Sequence, residues 1–544
     1  MMKTSLENQF FGHQKLLHLL RRRVVDLKEG YRQNMALIGN RFVGKTAILH
    51  KFMEELDEES IIILYLDLDH KDINHFFARF LGGFLYEFCR IQRLPLFNDI
   101  SLLMENARKL IPQTVEEIKR IQTNLSKHKY EEAYRQIISL PEVLTGESGQ
   151  FCVIVLDEFQ NLEELGVSDV FQELGKRIMT QKRCIYVVAS SQGAVAKKIL
   201  AEKLSLLFGN FEILDVEPLD SKTSQELISA HLKEIQISQP LRDFLADFTG
   251  GYPLYLNVIV RELLHLSSIH QQREIFLPLL TQAIENVLFY PWGILNRHFE
   301  MTVGPLCSSK SNWAMSSVLI ALTEGKHRLR EAAQQAGLKP QMINQRLNRL
   351  MELGLIGKNG QTFYFPDKLL KYWLKGIFQR RLKALDLLSH QIRTEFQEEL
   401  THLVVNFQIT SKRDLPSRVT ELLYCFDNEA VCLNGRRYKL PIFREVIHLP
   451  KNDSFGTGFE ILKASSPEGT WFIGLKKENL CENDVHLFLL ESKKLKERPQ
   501  GQVLISLSDL DENTRIKALQ ERMWIWNEKE INALLSFYDK PFII

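Results

Sequence analysis

The sequence lacks a long apolar run and an excess of charge of either sign. No uninterrupted stretch approaches the roughly 20 apolar residues that a membrane-spanning helix requires, and the N-terminus has no apolar signal core. Lys and Arg number 69 against 67 Asp and Glu, so composition alone points neither to nucleic acid nor to a membrane surface. We therefore expect a cytoplasmic protein with no membrane partner, and any basic surface must be local.

The cysteines are few and lack the spacing of a metal site. There are seven, with no C-x-x-C pair, and they are expected to be reduced thiols. The chain has 544 residues, of which 45% are hydrophobic and 25% charged, which is ordinary globular composition. At about 150 residues per domain, three or four domains are expected.

A glycine- and lysine-containing stretch follows the first apolar run of the chain. Met35 to Ile38 predict a short buried strand, which leads directly into Gly39-x-x-x-x-Gly44-Lys45-Thr46 and then into an amphipathic helix. This is the spacing and the context of a phosphate-binding loop, whereas a chance match would lack the flanking strand and helix. The predicted nucleotide-binding residues are Gly39, Asn40, Arg41, Phe42, Val43, Gly44, Lys45, Thr46 and Ala47.

Each residue type in this loop has a chemical reason. Gly39 and Gly44 allow backbone N–H groups to turn towards phosphate oxygens, and the following helix adds its positive end. Lys45, expected to be exposed in the loop, would reach the β and γ phosphates, and Thr46 would offer its hydroxyl to magnesium. The predicted ligands are therefore ATP and Mg²⁺.

A second apolar strand with an acidic end completes this pattern. Phe151 to Leu156 lead into Asp157-Glu158. Asp157 would belong to the magnesium shell, and Glu158 would orient and deprotonate the attacking water. The alternative is an acidic pair that caps the next helix. A further strand, Cys184 to Ala189, ends in Ser190, which either contacts the γ-phosphate or is an ordinary turn residue.

The order of elements predicts an α/β fold with a parallel sheet. Further strands are expected at Ile61 to Leu66 and Phe211 to Val216, with a helical insertion at about 73–145. From Ser221 the pattern is helical and is interrupted by Gly250-Gly251-Tyr252-Pro253. We predict an ATPase core at 1–220 and a helical lid at 221–300.

The combined motifs resemble those of the archaeal-type ATPase family, within the STAND branch of AAA+-like P-loop ATPases. The resemblance covers roughly residues 10–290 and implies that Pro253 lies against the bound nucleotide. Two positions depart from the family pattern: Gly12-His13-Gln14 stands where Gly-Arg-Glu is usual, and Phe42 replaces the second loop arginine. Arginine contacts at those two positions are therefore not expected.

Residues 311–373 have the pattern of a winged helix, with three helices and a hairpin that turns at Asn359-Gly360. Nine Lys or Arg stand against four Asp or Glu between Glu324 and Lys371. Duplex DNA binding through the third helix is one hypothesis. The other is an arm that packs on the nucleotide domain. A linker helix is predicted at 374–394.

Residues 395–544 predict a small α/β domain with strands that include Gly458 to Leu462, Thr470 to Leu475 and Val485 to Leu490. The strand that ends in Lys476 resembles the core of restriction-endonuclease-like domains. Glu460 and Lys476 would be two of its site residues, but Gly474 stands where a second acid is needed. This domain is expected to be inactive, with Lys463, Lys476 and Lys477 near a phosphate path.

The sequence thus predicts an ATP-hydrolysing switch that controls the arrangement of its modules or their assembly with a protein or DNA partner. Two alternatives stay open, a DNA-binding loader ATPase and an ATP-triggered defence nuclease. The oligomeric state and the arginine finger are also open, with Arg177 and Arg183 as candidates by position alone.

Overall fold

The computed structural model describes residues 10–56, 60–69, 72–204, 211–307, 313–325, 327–383, 390–433, 436–449, 459–476, 480–493, 499–508 and 511–543. They form two units. The first comprises the described residues up to Leu219 together with Tyr252–Leu254 and Leu350–Gly354, and the second comprises the rest. None of the described helices has the length and hydropathy that crossing a bilayer requires.

The first unit contains a five-stranded parallel sheet in the order β2-β3-β4-β1-β5, which confirms the predicted fold class. Its central strands are continuous apolar runs because helices cover both faces of such a sheet. Each expected strand is present and differs from its predicted bounds by one residue at one end. The strands are β1 (Asn34–Ile38), β2 (Ile61–Asp67), β3 (Phe151–Asp157), β4 (Cys184–Ser190) and β5 (Phe211–Asp215).

Helices surround this sheet, and those of the predicted insertion join its core. Phe77, Phe84 and Phe88 are buried in one apolar cluster with side chains of the sheet. The helices are α1 (Gln14–Lys28), α2 (Lys45–Glu54), α3 (Ile73–Ile91), α4 (Ile100–Ala107), α5 (Pro112–Ser126), α6 (Tyr130–Ile137), α7 (Leu140–Ser148), a 3₁₀ helix (Phe159–Leu165), α8 (Val170–Thr180), α9 (Gly193–Lys198) and a π turn (Ile199–Lys203).

The second unit begins with helices, as its sequence periodicity predicts. A short pair of parallel strands interrupts them. The elements are α10 (Ser221–Leu232), β6 (Gln236–Ile237), α11 (Gln239–Thr249), α12 (Pro253–Ile269, whose first two residues belong to the first unit), β7 (Glu274–Ile275), α13 (Leu277–Ile284), a π turn (Glu285–Phe289) and α14 (Ile294–Cys307).

Three helices and a hairpin follow, in the order that a winged helix has. Gly360 turns the hairpin in the left-handed region, with φ +63°. The domain assignment itself stays a prediction. The elements are α15 (Trp313–Thr323), α16 (Leu329–Ala336), α17 (Pro340–Glu352), β8 (Gly357–Asn359), β9 (Thr362–Tyr364), α18 (Lys368–Trp373), a π turn (Leu374–Phe378), α19 (Gln379–Lys383), α20 (His390–Ser411) and α21 (Leu415–Leu423).

The C-terminal part of the second unit is a mixed sheet in the order β12-β13-β14-β15-β16. Its first three strands are antiparallel and its last three parallel. The elements are β10 (Glu429–Leu433), β11 (Arg436–Leu440), β12 (Glu445–Leu449), β13 (Glu460–Ser466), β14 (Gly469–Lys476), α22 (Glu482–Lys493), β15 (Gly501–Ser506), α23 (Glu512–Gln520), β16 (Trp524–Trp526) and α24 (Glu528–Phe537).

One predicted strand in this region is wrong. Val485 to Leu490 lie within the helix α22, where Val485, Phe488 and Ser492 are buried at helical spacing. Periodicity alone cannot distinguish a buried strand from a buried helix in a short apolar run. In the structure the segment is helical, and the residues at helical spacing are the ones that are buried.

Candidate nucleotide site

The predicted site residues converge at the carboxyl end of the parallel sheet. The phosphate loop (Gly39–Thr46) follows β1, Asp157 ends β3 and Ser190 ends β4. These three strands are neighbours, with β4 between β1 and β3. Ligands of open α/β sheets bind in this position, outside the carboxyl ends of the strands.

The backbone of the loop requires both of its glycines. A Cβ atom at Gly39 would lie 2.3 Å from the carbonyl oxygen of Val216, and Gly44 has φ +102°. Phe42, where the family usually has arginine, also has a positive φ, of 66°. Val43 is fully buried, so it can offer a ligand its backbone N–H but not its side chain. Arg41 is exposed.

Lys45 is folded back onto its own loop. Its Nζ donates to the carbonyl oxygens of Gly39 at 2.9 Å and Asn40 at 2.8 Å, and the residue is only 5% exposed. Burial lowers the pKa of the ammonium, an effect that Glu158 and Asp157 oppose. The expectation that this side chain is exposed is wrong, because the loop carbonyls provide acceptors that draw the ammonium inwards.

A threonine hydroxyl and a carboxylate lie side by side next to the loop. Thr46 Oγ1 donates to Asp157 Oδ2 at 2.7 Å, and the hydroxyl of Tyr65 donates to the same oxygen at 3.2 Å. Burial raises the pKa of Asp157. These are hard oxygen donors of the kind that Mg²⁺ takes alongside phosphate and water, so the residues fit a magnesium ion.

Glu158 is held by three donors on a single oxygen. Its Oε2 accepts hydrogen bonds from Gln160 Nε2 at 2.8 Å, the Ser191 N–H at 3.0 Å and Ser191 Oγ at 2.8 Å. The residue itself has φ 52°, an uncommon left-handed conformation for a side chain of this type. The sequence patterns did not indicate Gln160 or Ser191 as partners of the carboxylate.

Ser190 is fully buried at the end of β4. Its Oγ accepts from the N–H of Gln192 at 3.0 Å, and its carbonyl accepts from the N–H of Gly39 at 3.3 Å. The residue thus ties β4 to the phosphate loop. Contact of its hydroxyl with a γ-phosphate stays a prediction.

The Gly-Gly-Tyr-Pro motif lies beside the phosphate loop. Pro253 Cγ is 3.9 Å from the position that a Cβ of Gly44 would take. Asn40 Nδ2 donates to the hydroxyl of Tyr252 at 3.2 Å. This proximity is consistent with the expected role of Pro253 at the nucleotide, which stays a prediction.

Two candidates for an arginine finger were named by position. Arg183 directly precedes β4, so it lies at the amino end of the parallel strands, whereas the phosphate loop lies at their carboxyl end. Its guanidinium donates to the carbonyl oxygen of Gly149 at 2.8 Å. The structure therefore gives it no place at the nucleotide of its own chain. Arg177 lies in α8.

The nuclease-like constellation does not form in the C-terminal sheet. Glu460 is directly opposite Leu475 across β13 and β14, so it shares a face with Leu475, whereas Lys476 points to the other face. A Cβ at Gly474 would lie 2.5 Å from the ring of Phe488. Position 474 is therefore filled by packing against α22, and the proposed pairing of Glu460 with Lys476 is wrong.

Lys476 instead pairs with an acid from α22. Its Nζ lies 2.8 Å from both carboxylate oxygens of Asp484, which also accepts from the N–H of Cys481. This pairing lowers the pKa of Asp484, against the opposing effect of burial. Lys463 is on the same face of the sheet as Lys476, and Lys477 lies outside the described residues. Within the described chain, no group of three or more His, Cys, Asp or Glu is arranged to hold a metal ion.

Comparison with known families identifies the nucleotide-binding part of the chain. Residues 23–259 match a family described as an ATPase domain predominantly from Archaea. The resemblance that the motifs show to an archaeal-type ATPase is therefore confirmed over these residues. The protein is an ATPase with a nucleotide-binding P-loop. No curated protein matches the chain.

Three solved structures to which this chain is similar are the following. The Walker-type ATPase PABY2304 of Pyrococcus abyssi is 16% identical, with a TM-score of 0.48 over 67% of this chain and 96% of its own. ORC2 of Aeropyrum pernix, in ADPNP and ADP complexes, is 11% identical, with a TM-score of 0.43 over 70% and 98%. The RuvB Holliday junction branch migration motor of Thermotoga maritima is 12% identical, with a TM-score of 0.34 over 67% and 96%.

Proposed function

We propose that this ATPase is a molecular switch, in which the nucleotide state of the phosphate loop controls the arrangement of segments that follow the ATPase domain and their assembly with a partner. One observation carries this proposal. Residues Leu350–Gly354 belong to the first unit, although they come well after the matched ATPase domain.

Gly354 adjoins both halves of the site. A Cβ placed on it would lie 3.4 Å from the carbonyl oxygen of Ser191 and 3.9 Å from Asn40 Oδ1. Asn40 belongs to the phosphate loop, and Ser191 donates both its hydroxyl and its N–H to Glu158. A displacement of Asn40 or Ser191 would therefore change the packing around Gly354. Its φ of +71° is a left-handed conformation that residues other than glycine rarely adopt.

The loop residues suit the binding step. Lys45 would exchange the carbonyls of Gly39 and Asn40 for phosphate oxygens, which frees two acceptors in the loop. Thr46 and Asp157 would hold magnesium, which supplies charge neutralisation at the phosphates. Glu158 would orient and deprotonate the attacking water.

This exchange connects nucleotide state to the segment that ends at Gly354. The carbonyl of Asn40 is released when Lys45 turns to phosphate, while the side chain of the same residue adjoins Gly354. Hydrolysis removes the γ-phosphate and leaves the ammonium only its contact with the β-phosphate. ATP and ADP would thus favour different positions of Leu350–Gly354, as expected for an element that is ordered by phosphate contacts.

Hydrogen exchange tests the switch directly. Amide exchange in residues 350–354 and 252–254 is measured without nucleotide, with ADP, and with ATP bound to the non-hydrolysing variant Glu158→Gln. Exchange at both segments should differ between the ATP and ADP states. Residues of α6 in the helical insertion serve as the internal control and should exchange alike in both.

Identical exchange at residues 350–354 in the ATP and ADP states, with saturation by nucleotide verified, would refute the switch. Gly354→Val provides a matched perturbation. Its Cβ would contact the Ser191 carbonyl oxygen at 3.4 Å, and a β-branched side chain is strained in the left-handed backbone conformation of this position. We expect this variant to lose the difference between the two nucleotide states.

A second candidate function is duplex DNA binding through α17, and a specific observation favours it. Polar side chains that could read a groove line the outer face of this helix, while Ile343, Leu347 and Leu350 are buried. The exposed residues are Gln341, Asn344, Gln345, Asn348 and Arg349, and Arg346 is half-buried.

Fluorescence anisotropy with a short duplex at two salt concentrations tests this candidate. Phosphate contacts release counterions, so affinity should fall steeply with salt. The exposed Lys339, next to α17, would be changed to Glu and compared with Lys109→Glu on the exposed surface of the insertion. Equal binding by both variants would count against this candidate.

A further inference from the structure

We propose that Gln160 is a positioning residue for ATP hydrolysis, which fixes one oxygen of Glu158 and offers its own amide oxygen to the attacking water. This inference rests on the proposed role of Glu158 as the general base. It gives a role to a residue for which the sequence patterns indicated none.

The first observation concerns the amide nitrogen of Gln160. The residue is 6% exposed, and its Nε2 donates to Glu158 Oε2 at 2.8 Å. Because an ionised carboxylate only accepts hydrogen bonds, the nitrogen of the amide must face it. The orientation of the amide group is therefore fixed by chemistry, and its oxygen must point elsewhere.

The second observation concerns that oxygen. Gln160 Oε1 is buried and has no hydrogen-bond partner among the residues that the structure describes. Buried polar atoms are nearly always hydrogen-bonded, to protein or to an ordered water. An unpartnered acceptor directly beside the base is thus suited to hold a water molecule at the reacting position.

The third observation is the convergence of donors on one oxygen of the base. Gln160 and Ser191 together place three hydrogen bonds on Glu158 Oε2. This leaves Oε1 to accept a proton. Phe159, which precedes Gln160 in the 3₁₀ helix, is fully buried and packs its ring against Phe171, so the backbone at Gln160 is well anchored.

The hydrolytic step then assigns a role to each acceptor. The oxygen of water attacks the γ-phosphorus, one proton of that water passes to Glu158 Oε1, and the bond from the γ-phosphorus to the bridging oxygen breaks. The products are ADP and inorganic phosphate. Gln160 Oε1 accepts a hydrogen bond from the second O–H of the water, so two acceptors orient the nucleophile.

Gln160→Met tests the inference, since methionine is unbranched and of similar length but has neither amide group. ATP affinity should be unchanged, because the amide contacts the base and not the phosphate loop. We expect kcat to fall at least tenfold.

Gln181→Met is the matched control. Gln181 is equally buried in the same unit, donates to the carbonyl of Ile138 at 2.7 Å and accepts from the hydroxyl of Tyr186 at 2.7 Å. Its replacement should lower the thermal unfolding temperature without changing kcat per folded molecule. Gln160→Ala serves in place of Gln160→Met if the latter does not fold.

A double-mutant cycle shows how much of the effect of Gln160 on kcat is exerted through Glu158. In the Glu158→Gln background, Gln160→Met should cause a smaller loss of kcat than in the parent, because only the contact of its amide oxygen with the water is left to lose. An equal loss of kcat in both backgrounds, or a parent-like kcat in the single variant, would overturn the inference. Failure of the switch is distinguishable, because it would appear as unchanged hydrogen exchange at residues 350–354 while these kinetic differences persist.

Discussion

Replacement of Lys45 by methionine separates the two roles that the structure gives this side chain. In the structure the ammonium donates to the carbonyl oxygens of Gly39 and Asn40. With ATP it is expected to bind phosphate instead. Methionine keeps the length of the side chain and loses the charge, so both roles are removed with little change in packing.

The two roles differ in the sign and size of their effect on stability. Without nucleotide, two loop carbonyls lose a charged donor, but the variant no longer buries a charge whose pKa burial lowers. These effects largely offset, and we expect a destabilisation of about 1–2 kcal/mol. With ATP at about 100 times its Kd, the parent should gain about 2.7 kcal/mol, or about 5–11 °C in Tm, and the variant none.

Thermal unfolding with and without ATP and magnesium measures both effects. Lys51→Met is the control, because Lys51 lies in the same helix and pairs with Glu54 and Glu55 away from the loop. It should keep the full nucleotide-dependent gain. A Lys45→Met variant that gains as much from ATP as the parent would refute the assignment of this lysine to phosphate.

Three further predictions concern single residues. Glu158→Gln should retain ATP affinity and lose about 100-fold or more in kcat; hydrolysis at the parental rate would show that Glu158 is not the base. Burial raises the pKa of Asp367 to about 6, so stability present below about pH 4 should be lost as pH rises through 6, by up to about 3 kcal/mol. Urea unfolding of Asp367→Asn should lack this dependence, and an unchanged slope would contradict it. Gly474→Glu should destabilise the C-terminal sheet by several kcal/mol without gaining magnesium affinity, because its side chain would meet Phe488; calorimetric magnesium binding by a folded variant would contradict this.

The parallel sheet and the phosphate loop were predictable because they depend on local patterns. A strand buried on both faces needs a continuous apolar run, such as Met35 to Ile38, whatever surrounds it. Gly39 and Gly44 are required by close backbone approach and by a positive φ, which few residues other than glycine tolerate. Asp157 follows because a parallel strand brings its carboxyl end to the same edge of the sheet.

The surroundings of the base were not predictable in the same way. Ser191 reaches Glu158 only because β4 lies next to β3, which is a property of strand order and not of spacing along the chain. The burial of Lys45 depends on where the loop carbonyls point. Gln160 is two residues from Glu158 and could have been noticed, yet only the three-dimensional contact shows which of its amide atoms is used.

The C-terminal sheet shows how a one-residue register decides between two functions. A Glu-x-Lys site needs its acid and its lysine on one face, and the side chains of a strand alternate between faces. Glu460 fails this condition because its partner across the strands is Leu475 and not Lys476. Lys476 pairs instead with Asp484, which belongs to the helix α22. The apolar run that begins at Val485 in this helix is interpreted as a strand from the sequence alone. Because the Asp484 carboxylate already pairs with the Lys476 ammonium, a phosphate that approaches Lys476 must compete with it. Asp484→Asn should therefore strengthen the binding of polyphosphate or DNA to this face of the sheet.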